Sequence, residues 1–406
     1  MEIWREGRIR DFADVKGGKR LPKGKQLVGF PTAHPYIRIR DIGKSKVLQL
    51  TADYEYVDDE TQKDISRYIV AKGDILISVV GTIGLIGIVG DTLDGANQTE
   101  NCDKLTNLNG IDRDYLYYYL VSSLGQAEIK KGTVGAVQPK LPLKNIQDLL
   151  IHYPTLETQR KIASVLSALD NKIEKNTEIN ENLLQQANAI FKHWFTENPN
   201  LDTMKQVPLA DLCLVITKGT TPTTLGKQFV SEGINFIKAE SILDNHAIDK
   251  DKVAFIDSET NDLLKRSIMN SGDIVFTIAG TLGRFALIDD SVLPANTNQA
   301  VAIIRANQSK VTPEYLYSFF LGNWHNDYYT KRIQQAVQAN LSLGTIRSLP
   351  IPILSDQAMS EYIGIISPII AMTKANELEI LRLRAIRDTL LPQLMSGKLD
   401  VSSLDL

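Results

Sequence analysis

The sequence has little of what a catalytic or membrane protein would need. Its two cysteines, Cys102 and Cys213, lie in no CxxC pair and near no histidine cluster. A disulfide framework is thereby excluded, a zinc site is not expected, and a reducing cytoplasm suits the chain. The five histidines, His34, His152, His193, His246 and His325, are scattered. No apolar h-region opens the chain and no apolar run is long enough to span a bilayer, so neither secretion nor membrane insertion is expected. There is no nucleophile elbow, no HExxH pair and no Asn-Pro-Pro-aromatic or Asp-Pro-Pro-aromatic stretch of an amino-methyltransferase, since Asn198-Pro199 is followed by Asn200. Gly81-Thr82-Ile83-Gly84-Leu85-Ile86-Gly87 runs into the strand-like Ile88-Val89, and Gly43-Lys44-Ser45 has Arg38 where a Walker loop needs glycine. Both read as structural turns rather than phosphate cradles.

A net charge of −3 leaves no bulk attraction for nucleic acid, but the charge is unevenly spread. Met1 to Lys46 holds twelve Lys and Arg against five Asp and Glu, while Val47 to Asp103 holds three against eleven. A polyanion would meet a limited face, with ordinary solvated charge as the competing explanation.

Proline and glycine are missing between Glu157 and Phe195, and there Ile162, Leu166, Leu169, Ile173, Asn176, Asn180, Leu183, Ala187, Ile190 and Trp194 follow at spacings of four and three. That is a coiled-coil seam. Asn176 and Asn180 are either surface positions out of phase or a buried pair that sets register. A second segment, Asp356 to Met395, carries Ile369, Thr373, Asn376, Ile380, Leu383, Arg387, Leu390 and Leu394 in the same rhythm. Pro368 must start, kink or split it, and Arg387 would have to snorkel.

An internal repeat of about 200 residues dominates the chain. Asp211 follows Asp11 and Pro222 follows Pro22 by 200 positions. Gly272-Asp273-Ile274-Val275-Phe276-Thr277-Ile278-Ala279-Gly280-Thr281-Leu282-Gly283 answers Gly73-Asp74-Ile75-Leu76-Ile77-Ser78-Val79-Val80-Gly81-Thr82-Ile83-Gly84, each read as a buried strand and a tight turn. Tyr36 to Arg40 reads as a strand and Tyr115 to Leu124 as a short helix. The order is domain, helix, domain, helix: 1–153, 154–197, 198–354 and 355–406. The fold class is α+β, with two pseudo-twofold-related globular domains separated by a pair of long antiparallel coiled-coil helices.

Matching loops of the two domains carry groups suited to a groove. The first has Lys16, Lys19, Arg20, Lys23 and Lys25, then Arg38, Thr82, Thr133, Gln138 and Lys140. The second has Lys218, Thr220, Thr221 and Lys227, then Lys238, Thr281, Arg284, Gln338 and Asn340. Arg and Lys can meet guanine edges and Asn and Gln adenine edges, while other cations hold phosphates without reading sequence. Singly, each is explained by solvation; recurrence in matching loops raises the group.

With the repeat in place the whole chain resembles the specificity subunit of a type I restriction-modification enzyme. The repeated strand and turn carry the resemblance, with Pro154-Thr155-Leu156-Glu157-Thr158-Gln159, Leu166-Ser167-Ala168-Leu169-Asp170-Asn171-Lys172-Ile173, Phe191-Lys192-His193-Trp194-Phe195 and Leu390-Leu391-Pro392-Gln393-Leu394-Met395-Ser396-Gly397-Lys398-Leu399. Ser355-Asp356-Gln357-Ala358-Met359 departs from the first lead-in, and Pro368 stands where Asp170 would align. The resemblance implies a noncatalytic reader of a split, asymmetric DNA target. Each domain would be a target recognition domain for one half, with the helices as spacer. Partners would be double-stranded DNA, two methyltransferase subunits and two restriction/translocase subunits. S-adenosylmethionine, ATP and Mg would sit on those partners and no cofactor on this chain. Alternatives of other classes are a self-contained methyltransferase/nuclease and a scaffold with vestigial readers.

Overall fold

All four residues of the strand Ile75–Ser78 are buried, and in the computed structural model the reason is a layer on each face. Ile75 and Ile77 join one apolar cluster with Tyr115, Leu116 and Ile162, while Leu76 joins another with Ile37, Ile42 and Leu93. A strand apolar on both sides can sit only inside a sheet that is covered twice. Its repeat, Ile274–Thr277, does the same: Ile274 and Phe276 belong to one cluster and Val275 to another.

The structure describes residues 4–199, 204–333 and 340–401. The chain divides into two compact units, Met1–Glu174 with Leu381–Leu406, and Lys175–Ile380. In the first, a five-stranded sheet runs in the order Asp14–Gly17, Cys102–Thr106, Ile75–Ser78, Ile86–Val89, Val47–Leu48. A second sheet orders Glu55–Tyr56, Pro35–Ile37 and Asn97–Gln98, and Arg5–Arg8 pairs with Leu150–Tyr153. The second unit repeats this with Cys213–Lys218, Val301–Ala306, Ile274–Thr277 and Phe285–Leu287, then Ala254–Ile256, Ile234–Ile237 and Ala295–Thr297, then Gln206–Pro208 with Pro350–Pro352. In both small sheets the middle strand pairs antiparallel on one side and parallel on the other. The sequence repeat is a repeat of topology except at one edge, where among the described residues the second large sheet has no strand answering Val47–Leu48.

Shared polar fixtures explain the repeated Gly-Asp motif. Asp74 accepts the Ala71 amide (2.9 Å) and pairs with Lys104 (2.8 Å); Asp273 accepts the Asn270 amide (2.8 Å) and pairs with Arg305 (2.7 Å). Each buried carboxylate is thereby satisfied and closes the turn before its strand. Two other matched positions, Gly18 and Gly219, lie where the chain crosses a neighbouring backbone. A Cβ there would stand 2.0 Å from the Thr99 carbonyl oxygen and 1.7 Å from that of Thr297.

Three local expectations are corrected. Pro35–Ile37 is the strand, and it stops at Arg38 because the Asp41 carboxylate accepts the Arg38 amide (2.7 Å) and turns the chain. The tyrosine-rich helix is Arg113–Val121, ended by Ser122, whose side chain caps the next helix, Ser123–Gly132. Pro368 neither starts nor splits the distal helix, which runs unbroken over Asp356–Met395. Pro368 and Gly364 are both exposed, so the carbonyl that loses its helical donor faces solvent, where that loss costs least.

The central helix is Leu156–Phe191, extended by a π-helical turn, Lys192–Thr196. In the first unit Ile162, Leu166 and Ile173 are buried, Leu169, Leu383 and Leu390 half-buried, and Leu394 fully buried. Arg387 does not snorkel: it pairs with Asp170 (2.9 Å), which also accepts the Tyr118 hydroxyl (2.7 Å). In the second unit Asn176, 1% exposed, donates to Glu379 (2.7 Å). Asn180 donates to the Thr373 carbonyl (3.1 Å) and accepts from Asn376 (2.8 Å). Later residues of one helix meet earlier residues of the other, so the pairing is antiparallel and the asparagines are its polar link, Asn176 buried and Asn180 and Asn376 half-buried. Leu183 and Ala187 are buried beside them, with Ile190, Ile369 and Ile380 half-buried. No described helix is long and apolar enough to cross a membrane.

Two stability outcomes are expected. Gly219→Ala should destabilise the chain by about 1–3 kcal/mol through backbone overlap, measured by urea denaturation. His325, 2% exposed among Phe276, Phe320 and Tyr329, has its pKa lowered by burial from 6.5 to about 4. The unfolded chain therefore takes up this proton first as pH falls, and stability is lost between about pH 6.5 and 4, by up to roughly 3 kcal/mol. Denaturation at pH 7 and 4.5 should show the loss, and His325→Phe should reduce it.

Candidate nucleic-acid interface

Both Gly-Thr turns are hairpin tips held from within. The Ser78 hydroxyl donates to the Thr82 carbonyl (2.6 Å) and accepts the Leu85 amide (2.8 Å). Thr277 does the same toward the Thr281 carbonyl and the Arg284 amide (2.9 Å). Gly81, Gly84, Gly280 and Gly283 all have φ between 76° and 88°, the left-handed region that glycine enters without strain. With each turn closed from inside by the Ser78 or Thr277 hydroxyl, the Thr82 and Thr281 side chains stand exposed. The turn reading holds.

At the same end of the first unit's large sheet, three loops meet. Gly17 pairs with Asp103 and Ser78 with Cys102, so the segments after Gly17, after Ser78 and before Cys102 emerge together. The Val79 amide donates to the Asn101 carbonyl (2.9 Å), and Val80 and Val134 each pair with Lys140. Gln138 and Lys140 are exposed beside the Thr82 tip, and Val137 projects from this loop 94% exposed. Thr133 is half-buried and donates to the Ile129 carbonyl (2.8 Å), which makes it a helix-end fixture.

A groove of about 600 Å³ opens next to these loops, lined by Arg20, Tyr36, Arg38, Arg40, Glu55 and Glu100 among others. The cations are held by carboxylates. Arg20 donates to Glu100 (2.7 Å); burial pushes the Glu100 carboxyl up, but the Arg20 hydrogen bond and its neighbours leave it below the usual range. Arg38 and Arg40 both donate to Glu55, Arg40 at 2.9 Å. Lys25 pairs with Glu60 at the start of the helix Asp59–Ile65, and that hydrogen bond raises its pKa. Lys19 lies over the Tyr68 ring (5.7 Å) and its carbonyl accepts the Tyr36 hydroxyl (3.0 Å). Lys23 is exposed. Lys16, expected in the loop, lies in the strand Asp14–Gly17, 3.8 Å from Asp14.

The second unit builds the same end differently. Lys218 is the last residue of its strand, and its carbonyl accepts from Arg266 (3.2 Å), which also reaches the Thr220 hydroxyl (3.4 Å). Thr221 donates its amide (3.1 Å) and hydroxyl to Gln299. Lys227 pairs with Glu259 (2.7 Å), repeating Lys25 with Glu60. Lys238 pairs with Glu240 (2.8 Å) over the Phe229 ring. Arg284 is tied to Asp244 by two hydrogen bonds (2.6 and 2.8 Å) and to the Ile242 carbonyl (3.2 Å). Asn340 is exposed, next to Leu341, whose amide donates to the Ile278 carbonyl (3.0 Å). Gln338 lies outside the described residues.

The structure thus brings Arg20 and Arg38 to one groove, where it adds Arg40, Glu55, Glu100 and Asn101, and gathers Gln138 and Lys140 near the Thr82 turn; in the second unit it adds Arg266 and Gln299. Arg-x-Arg at Arg38 and Arg40 was the available signal; the carboxylates come from up to 80 residues away and carried none. Among the described residues, no group of three His, Cys, Asp or Glu converges as a metal site.

Comparison with known proteins agrees with the repeat. The family described as the type I restriction modification DNA specificity domain matches residues 1–185 and 202–382. The chain is 24% identical to the type I restriction enzyme MjaIX specificity subunit of Methanocaldococcus jannaschii, over 99% of this chain and 94% of that protein. It is 25% identical to the HindI specificity subunit of Haemophilus influenzae, over 72% and 79% of the two. The crystal structure of the S subunit of a type I restriction-modification system from M. genitalium shares its fold, with a TM-score of 0.64 at 16% identity over 97% of this chain and 96% of that one. With the domain matched in both halves, the chain belongs to the type I restriction-modification DNA specificity family.

Proposed function

We propose that this chain is the noncatalytic DNA-specificity subunit of a type I restriction-modification complex, working in the prokaryotic cytoplasm. The observation that carries the reading is the duplication: two units of one topology present differently furnished loop ends, which fits a target of two unlike halves. The first unit would use Arg20, Arg38, Thr82, Gln138 and Lys140 with the flanking lysines, and the second Lys218, Thr220, Thr221 and Asn340. Cations already paired with carboxylates add little bulk attraction, so most phosphate contact would come from partner subunits.

Two methyltransferase and two restriction/translocase subunits would supply the chemistry, with S-adenosylmethionine, ATP and Mg bound to them. Partner subunits would extrude and methylate the target adenine, while this chain's side chains select where that happens. The paired helices would set the length of unread DNA between the halves.

Methylome sequencing of cells carrying the cognate methyltransferase genes, with and without this chain, should show a bipartite motif that depends on it. Variants of Lys23 and Gln138 should weaken recognition of one half, and variants of Lys218 and Thr221 the other. Simultaneous change of both halves would reject two separate readers, and methyl transfer by the purified chain alone would reject a noncatalytic role. Inserting one heptad into both long helices should lengthen the gap by about 3 base pairs, from about 10 Å of added helix, with both halves unchanged.

A further inference from the structure

The two units share their scaffolding almost residue by residue. Asp74 with Lys104 matches Asp273 with Arg305, Ser78 matches Thr277, and Lys25 with Glu60 matches Lys227 with Glu259. Whatever distinguishes the DNA each unit reads must lie where these matches fail.

They fail at the groove. In the first small sheet Tyr36 stands opposite Glu55, and in the second Phe236 stands opposite Ala254. Arg38 and Arg40 are likewise answered by Lys238 and Glu240. The three-membered cluster of two arginines on one carboxylate therefore belongs to the first unit alone. It is not a fixture of the fold, because the second unit pairs the same strands without it. Its side chains are 41%, 50% and 29% exposed for Arg38, Arg40 and Glu55, and ion pairs this open contribute little to stability.

We infer that the Arg38–Glu55–Arg40 cluster reads a guanine–cytosine pair in the half-site of the first unit. The inference rests on the DNA-reading function proposed above and names a determinant within it. A phosphate is the wrong ligand for this cluster, since Glu55 would repel it from between the arginines. A G·C pair presents the complementary pattern in the major groove: guanine N7 and O6 accept, and the cytosine N4 amino group donates. Each guanidinium has five N–H donors, and a carboxylate has acceptor capacity on both oxygens. Arg40 places Nη2 on Glu55 and on the Asp53 carbonyl (3.1 Å), which leaves donors of the same guanidinium for a base edge. Glu55 thus aims two donors through Oε2, which accepts from both arginines, while Oε1 accepts from neither and faces an incoming amino group as the acceptor. Donor and acceptor side by side, on a wall of a 600 Å³ groove beside the Thr82 tip, select a base pair rather than a charge.

The test is methylome sequencing with Arg40→Ala and Glu55→Gln in the full chain, expressed with its cognate methyltransferase subunits, and with Lys238→Ala as the control in the other unit. Arg40 is exposed, so its truncation should leave the fold intact. Discrimination should fall about 5- to 150-fold at one G·C position of one half-site, with the other half unchanged. Lys238→Ala should leave that position unaffected. An unchanged half-site in both variants would overturn the inference. So would a first half-site made only of A·T pairs, or uniform weakening at every position, which would assign the cluster to the backbone. If Glu55→Gln abolished methylation, the Arg40→Ala pattern decides. Absence of any motif with the unaltered chain would instead reject the proposed function itself.

Discussion

Water is excluded from both faces of Ile75–Ser78 and Ile274–Thr277, and the rest of each unit follows from that constraint. A strand that buries Ile75 and Ile77 one way and Leu76 the other requires helices on one side and the small sheet on the other. Fully burying each such side chain contributes about 1.5–3 kcal/mol, so neither layer can be given up. Polar groups are displaced to the ends of the strands, where the loops gather. The candidate interface occupies the position that the core leaves open.

Pairing governs the charges at those ends. Lys25, Arg20, Arg38 and Arg40 face Glu60, Glu100 and Glu55, and Lys227, Lys238 and Arg284 face Glu259, Glu240 and Asp244. The basic first segment and the acidic second one, seen in the sequence, are two sides of the same contacts. Such pairs hold side chains in defined directions at little net cost, which favours selectivity over attraction.

Periodicity made the repeat, the seam and the turns legible, because an apolar rhythm and a glycine at a tip are local statements. The seam asparagines were legible as polar intrusions, but whether Asn176 and Asn180 were buried depended on Glu379, Thr373 and Asn376, nearly 200 residues away. Arg387 looked like a defect for the same reason, until Asp170 and Tyr118 appeared beside it. Pro368 leaves the distal helix unbroken because a missing helical bond matters less on a wet face than in a core. Lys16 and Lys218 are strand residues rather than loop residues, since β-pairing extends through Gly17 and Lys218 up to the crossings at Gly18 and Gly219. The cations of the candidate site were visible in the sequence; the carboxylates that aim them were not.

The self-contained hairpin tips have an evolutionary consequence. Ser78 and Thr277 close each turn from inside, so the exposed side chains at Thr82 and Thr281 take no part in closing it. A lineage can replace them freely, and a new preference can be tried by single substitutions without first compensating for lost stability. The fold is inherited as a frame, and its lettering can drift.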